Sequence, residues 1–82
     1  MNFLQQVRGT VRTESGAPIE GALVMGLDLV LTESASDGSF LLTCPEMALC
    51  FWCTGYFPRT HVLARGESEV DMTLRAIGIH PA

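Results

Sequence analysis

Turn signals interrupt this chain at short and regular intervals, and they limit the structures that it can form. Gly16 and Pro18 mark the first turn, Asp37-Gly38 marks a tight one, and Gly55 marks a later break. The segments between such breaks run for about five to nine residues, which is the length of a β-strand rather than of a helix. We therefore expect an all-β domain.

Alternating hydrophobicity identifies two of the strands. Residues 7–12 and 70–75 each alternate a small or apolar residue with a polar one, a period of two that is typical of a half-buried strand. The other predicted strands are more apolar and cover residues 22–27, 29–32, 39–43, 49–54 and 59–63. Six or seven short antiparallel strands favour a two-layer Greek-key sandwich.

Two hairpins are predicted from the same turn signals. Asp37-Gly38 suits a two-residue type I′ turn, which matches the natural twist of paired strands. A second hairpin is expected across residues 44–48. It would bring Phe40 and Phe51 together across a strand pair, where aromatic side chains stabilise one another.

Length and composition are those of one small globular domain. The chain has 82 residues, 48% of them apolar and 17% charged, which excludes a disordered tail. We assign residues 1–76 to the β-sandwich domain. Residues 77–82 are predicted to form a C-terminal tail or linker, because Pro81 could not continue a central strand.

Charge limits the classes of partner. All five basic residues are arginine, there is no lysine, and nine acids give a net charge of −4. Without a basic cluster, we expect binding neither to nucleic acid nor to an anionic membrane. The longest apolar stretch, residues 22–31, is too short to span a bilayer. Residues 1–8 lack the charged-then-apolar order of a signal peptide, so the signal of a secreted form would lie outside this sequence.

Several turn motifs occur in an order found in a known family. Residues 7–24 read VRGTVRTESGAPIEGALV, residues 36–40 read SDGSF, and residues 54–56 read TGY. They resemble, in order, the opening strand and x-G-x-P-hydrophobic-x-G-A-x-V turn, the T-D-x-D-G-x-F hairpin (here two residues shorter) and the x-G-Y of carboxypeptidase regulatory-like domains. The matches extend over residues 7–75.

This resemblance implies a transthyretin-like β-sandwich that is usually non-catalytic. Such modules belong to larger secreted proteins, including extracellular matrix proteins of the cartilage intermediate layer type. The similar Cna-B adhesin modules form a lysine–asparagine isopeptide bond, which a chain without lysine cannot make. In this interpretation Gly16 supplies a positive φ and Gly21 permits a close backbone approach. The residues with structural roles in turns are Gly16, Pro18, Gly21, Asp37, Gly38 and Gly55.

Three cysteines lie close together, at Cys44, Cys50 and Cys53. Cys50 and Cys53 have C-x-x-C spacing, but in a strand these positions point to opposite faces, about 10 Å apart. Redox catalysis, and a zinc site completed by His61, are therefore disfavoured against ordinary burial. The sequence leaves open whether Cys44 forms a disulfide with Cys50 or, as the alternative, with Cys53. An odd number of cysteines leaves at least one thiol unpaired within the chain.

The sequence contains no set of nucleophile, base and orienting residue, and His61 and His80 fit surface or packing positions. If Phe51 points into the sandwich, Trp52 points outward beside Cys50 and Leu41, and such an apolar patch is a candidate binding surface.

We therefore expect a non-catalytic structural or accessory domain of a secreted or extracellular protein, without cofactor or metal, that contacts neighbouring domains or another protein. The alternative is a recognition module for protein or carbohydrate that uses Trp52 and Tyr56. A remote alternative is a thiol oxidoreductase that uses Cys50 and Cys53.

Overall fold

Seven strands make up the regular secondary structure. The structure is a computed structural model that describes residues 4–26, 31–45, 48–64 and 66–78, without the side chains of residues 4, 5, 44 and 45. The strands are β1 (Leu4–Thr13), β2 (Leu23–Gly26), β3 (Leu31–Glu33), β4 (Ser39–Pro45), β5 (Ala48–Trp52), β6 (Arg59–Val62) and β7 (Glu69–Leu74). The described residues are all-β, as predicted, and include no helix able to cross a membrane.

The strands form two sheets of three and four strands, in the orders β4-β1-β7 and β3-β2-β5-β6. Every pair is antiparallel except β1–β7, which is parallel, with Arg8 opposite Glu69. The expectation of purely antiparallel strands is therefore wrong for this pair. Alternating hydrophobicity reports which face of a strand is buried, and it is the same for both directions of pairing.

The predicted hairpin across residues 44–48 is also wrong. β4 and β5 lie in different sheets, so the chain crosses from one sheet to the other between them. The rings of Phe40 and Phe51 do meet, edge to face at 5.5 Å between centroids and 75° between planes. Their contact joins the two sheets across the interior. Two buried aromatic residues on neighbouring segments can be partners side by side or face to face, and the sequence pattern does not distinguish these arrangements.

The turn at residues 35–39 differs from the predicted hairpin too. The Gly38 N–H donates to the Ala35 carbonyl and the Ala35 N–H donates to the Ser39 carbonyl, both at 2.8 Å. Gly38 has φ +82°. The turn connects β3 to β4, which belong to different sheets, so Asp37-Gly38 does not join two paired strands.

The interior holds side chains from both sheets. The predicted inward sets of residues 7–12 and 70–75 are confirmed. Among the residues whose side chains are described, thirteen apolar ones form the core: Val7, Val11, Ile19, Ala22, Val24, Phe40, Leu42, Leu49, Phe51, Leu63, Val70, Met72 and Leu74.

The close backbone approach expected at Gly21 lies at Gly9 instead. A β-carbon at Gly9 would overlap the carbonyl oxygen of Val70 on the parallel strand. A β-carbon at Gly21 would meet nothing within 4 Å, and Gly21 instead has φ +79°. Gly16, as predicted, has a positive φ, at +91°. Glycine at position 9 therefore permits the parallel pairing of the first and last strands.

One buried hydroxyl fixes the chain before β2. Ser34 is 4% exposed. Its Oγ donates to the Ile19 carbonyl at 2.6 Å and accepts from the Ala22 N–H at 2.9 Å. The Ser34 backbone also bonds Gly21 and Ala22. This one residue therefore holds the segment that leads into β2 against the segment that leaves β3.

The end of the described chain is bonded to the turn after β5. Tyr56 forms an isolated β-bridge with Ala76, and the Ile77 N–H donates to the Gly55 carbonyl at 2.9 Å. The chain is thus bonded to the domain as far as Ile77. Most of the predicted tail, residues 79–82, lies outside the described residues, as do residues 27–30 between β2 and β3.

Candidate binding surface

The outer surface of the four-stranded sheet carries almost no charge. We call it the apolar face. Its members alternate along each strand with inward positions such as Val24, Leu49 and Phe51, all of them fully buried. Nine outward positions in the described strands make up this face: Leu23, Met25, Leu31, Glu33, Ala48, Cys50, Trp52, Thr60 and Val62. Glu33 is the one charged member.

Strand register makes the apolar face continuous. Leu23 lies opposite Trp52, and Met25 lies between Leu31 and Cys50. These five residues line a shallow depression of about 250 Å³. Trp52 and Leu31 are each 55% exposed. The face is therefore a contiguous apolar surface in contact with water.

The outer surface of the three-stranded sheet has the opposite character. We call it the polar face. Cross-strand pairs cover it: Arg8 lies 3.4 Å from Glu69, and Thr10 Oγ1 donates to Asp71 at 2.9 Å. Its outward positions in the described strands are Gln6, Arg8, Thr10, Arg12, Ser39, Leu41, Thr43, Glu69, Asp71 and Thr73. Leu41 is the one large apolar side chain among them, so the two outer surfaces differ sharply in their affinity for water.

The predicted binding residues do not share one surface. Trp52 points outward beside Cys50, as predicted, because Phe51 is buried. Leu41, expected next to Trp52, lies on β4 of the other sheet, so that expectation is wrong. Tyr56 is partly buried and packs against the core. Phe57, which follows Tyr56, is 48% exposed. The apolar face thus includes Trp52 and excludes Tyr56.

The cysteines occupy separate environments. Cys50 is a half-buried free thiol on the apolar face, with its Sγ 3.5 Å from Thr60 Oγ1. Cys53, also free, packs against the core. The two thiols therefore lie on opposite sides of the sheet. The Cys44 side chain is outside the described part, and the free thiol of Cys50 gives no support to a bridge between them. No group of three or more described His, Cys, Asp or Glu residues could hold a metal.

A histidine–carboxylate pair lies at the β6 edge of the four-stranded sheet. His61 Nε2 lies 3.0 Å from Oε1 and 3.1 Å from Oε2 of Glu67. The Ala64 N–H donates to Glu67 Oε1 at 2.8 Å. The amide of Ala64, and next the imidazole of His61, hold the pKa of Glu67 below its usual value. The pair attaches the turn after β6 to that strand. His61 was expected at a surface or packing position, and its pairing with Glu67 was not predicted from the sequence.

Asp37 is held within its own turn. The Ser39 hydroxyl donates to Asp37 Oδ1 at 2.6 Å, and the Ser39 N–H donates to the same oxygen at 3.0 Å. These two bonds hold the pKa of Asp37 below its usual value. The contacts are local, and they agree with the structural role predicted for this residue.

Sequence comparison adds no family to this description. No protein-family model matches the chain, and no curated protein matches it.

Proposed function

We propose that this chain is a non-catalytic accessory domain that docks its apolar face against a neighbouring domain or another protein. One observation carries the proposal: eight of the nine outward positions on the four-stranded sheet are uncharged, and Trp52 stands among them 55% exposed. Contiguous exposed apolar patches mark interaction surfaces in soluble proteins. Tryptophan is also enriched among the residues that dominate binding energy.

The composition of the apolar face suits a protein partner. Trp52 offers a large rigid contact, and Met25 is unbranched and adapts to the shape of its neighbour. Burial of apolar area stabilises a complex by roughly 25 cal/mol per Å², before the cost of association is subtracted. With a single carboxylate on the face, at Glu33, docking would desolvate few charges.

The motif resemblance to carboxypeptidase regulatory-like domains supports the accessory role. Those modules are usually non-catalytic parts of larger secreted proteins, and the matching residues extend from 7 to 75. On this basis we place the domain in a secreted or extracellular protein. Its neighbours in that protein are the first candidates for the docking partner.

The alternative, a recognition module for a small ligand or carbohydrate, fits the surface less well. The depression of about 250 Å³ is smaller than typical ligand pockets of about 300–1,000 Å³. Its five lining side chains offer one thiol and no amide or carboxylate to bind sugar hydroxyls. Tyr56 does not line it. A thiol oxidoreductase is disfavoured because Cys50 and Cys53 face opposite sides of the sheet.

Hydroxyl-radical footprinting tests the proposal. The gene product is oxidised in an extract of the cells that produce it and, separately, as the purified domain. We expect Trp52 and Met25 to be oxidised several-fold more slowly in the extract. Phe57, which is 48% exposed and lies outside the apolar face, is the internal control and should react equally in both samples. Equal oxidation of Trp52 in the two samples would refute docking through this face.

A further inference from the structure

The open edge of β4 lies on the three-stranded sheet, apart from the apolar face. β4 ends the three-stranded sheet and pairs on one side with β1. The Gly38 carbonyl accepts from the Val11 N–H of β1, whereas the Ser39 carbonyl accepts from Ala35 outside the sheet. Backbone groups alternate in direction along a strand. Leu41 and Thr43 therefore direct their N–H and C=O groups away from β1.

The other strand edges are protected against pairing. The described part of β3 carries Glu33 at its end. On β6, Arg59 Nη1 donates to the Thr73 carbonyl at 3.3 Å, and His61 binds Glu67. The β7 edge also carries two acids. Short strands and charged side chains are the devices by which proteins prevent edge-to-edge association.

The β4 edge has none of these devices. Its seven residues, SFLLTCP, include no charged side chain, and its proline comes last. Leu41 is 53% exposed. A groove of about 790 Å³ is lined by Leu41 together with Thr32 and Glu33 of β3, and it extends across β1 to Glu69 of β7.

We propose that β4 pairs antiparallel with β4 of a second copy of this chain. A twofold axis at Leu42 places Leu41 opposite Thr43 of the other copy, and Thr43 opposite its Leu41. Each of these two pairs exchanges two backbone hydrogen bonds, so the unused groups satisfy one another. The resulting six-stranded sheet continues the polar face across both copies.

Pairing β4 with β4 of a second copy brings no charged β4 side chains together. The chain carries a net charge of −4, but β4 itself carries none. A contact of two strand pairs and one exposed leucine lies at the small end of protein interfaces. We expect a reversible dimer with a dissociation constant of about 10 µM to 1 mM.

Matched leucine variants test the proposal. Leu41→Lys places a charge on the β4 edge, whereas Leu31→Lys makes the same change on the apolar face at almost the same exposure, 53% against 55%. Sedimentation equilibrium should show a wild-type dimer that Leu41→Lys weakens about tenfold or more and Leu31→Lys leaves within about twofold. Thr43→Pro removes an outward N–H without breaking a bond to β1, and it should act like Leu41→Lys.

Amide exchange supplies a test that needs no variant. Exchange at Leu41 and Thr43 should slow as the wild-type concentration rises, and exchange at Thr60 on the apolar face should not change. A protein that stays monomeric at about 1 mM would overturn the proposal, as would a dimer lost in Leu31→Lys but kept in Leu41→Lys. The docking proposed for the apolar face would stand or fall independently, on the protection of Trp52.

Discussion

The buried hydroxyl of Ser34 allows a quantitative test of how the two sheets are connected. Ser34→Ala removes a donor from the Ile19 carbonyl and an acceptor from the Ala22 N–H, at distances of 2.6 and 2.9 Å. Both bonds are buried, and the Ser34 residue is 4% exposed. The alanine side chain can replace neither bond, so two backbone groups lose their partners.

The expected loss follows from the two unsatisfied groups. Each buried polar group left without a partner costs about 1–3 kcal/mol, and relaxation recovers part of that cost. We therefore expect Ser34→Ala to lower the free energy of unfolding by about 2–4 kcal/mol. At about 4–8 °C per kcal/mol for a domain of this size, the melting temperature should fall by roughly 8–32 °C.

Urea unfolding followed by far-ultraviolet circular dichroism measures this loss directly. Ser36→Ala, in the same connection but at an exposed position, is the matched control and should change the unfolding free energy by less than about 0.5 kcal/mol. The slope of the free energy against urea should be equal in all three proteins. If Ser34→Ala cost no more than the control, the argument from buried hydrogen bonds would be refuted.

Three further outcomes follow from contacts described above. Gly9→Ala should lower the free energy of unfolding in urea by more than about 3 kcal/mol, because its β-carbon would overlap the Val70 carbonyl. Gly16→Ala, in open space at a positive φ, should lower it by about 1 kcal/mol. Equal losses in the two variants would contradict the close approach at Gly9. The folded state favours the ionised form of Glu67, so its pKa lies below the ordinary glutamate value of 4.5. The resulting stabilisation is complete above pH 4.5 and is lost as the pH falls through the lower pKa of the folded state. An acid titration of stability should therefore be shallower in Glu67→Gln, and an unchanged titration would exclude the pair as a cause. Iodoacetamide should label Cys50 in unreduced protein, since its thiol is free, and finding Cys50 in a disulfide by mass spectrometry would contradict this.

The local features of the fold could be predicted from the sequence because they depend on neighbouring residues. Alternation located β1 and β7, and Trp52 points outward, as expected if Phe51 points into the sandwich. The period of a strand is fixed by its own backbone, so a few consecutive residues are enough to reveal it. The positive φ of Gly16 was expected from turn chemistry, which is also local.

The pairing of strands could not be predicted, because it depends on residues distant in sequence. Nothing near Phe40 shows that β4 pairs with β1 and only faces β5. The apolar face has the same origin: Leu31 and Trp52 become neighbours through the register of the β2 pairings. Ser34 resembled a solvated loop residue, and only the meeting of two distant segments buries its hydroxyl.

The parallel pairing of β1 with β7 has a consequence for synthesis. The first strand of the three-stranded sheet must wait for Glu69–Leu74, the last of the described strands to be synthesised, before Val7 and Val11 can be fully enclosed. Contacts so far apart in sequence slow folding, since a long loop must close first. Until then the nascent chain exposes one side of β1 as a second unpaired edge. The interval before β7 emerges from the ribosome is therefore the period when this domain is most exposed to aggregation.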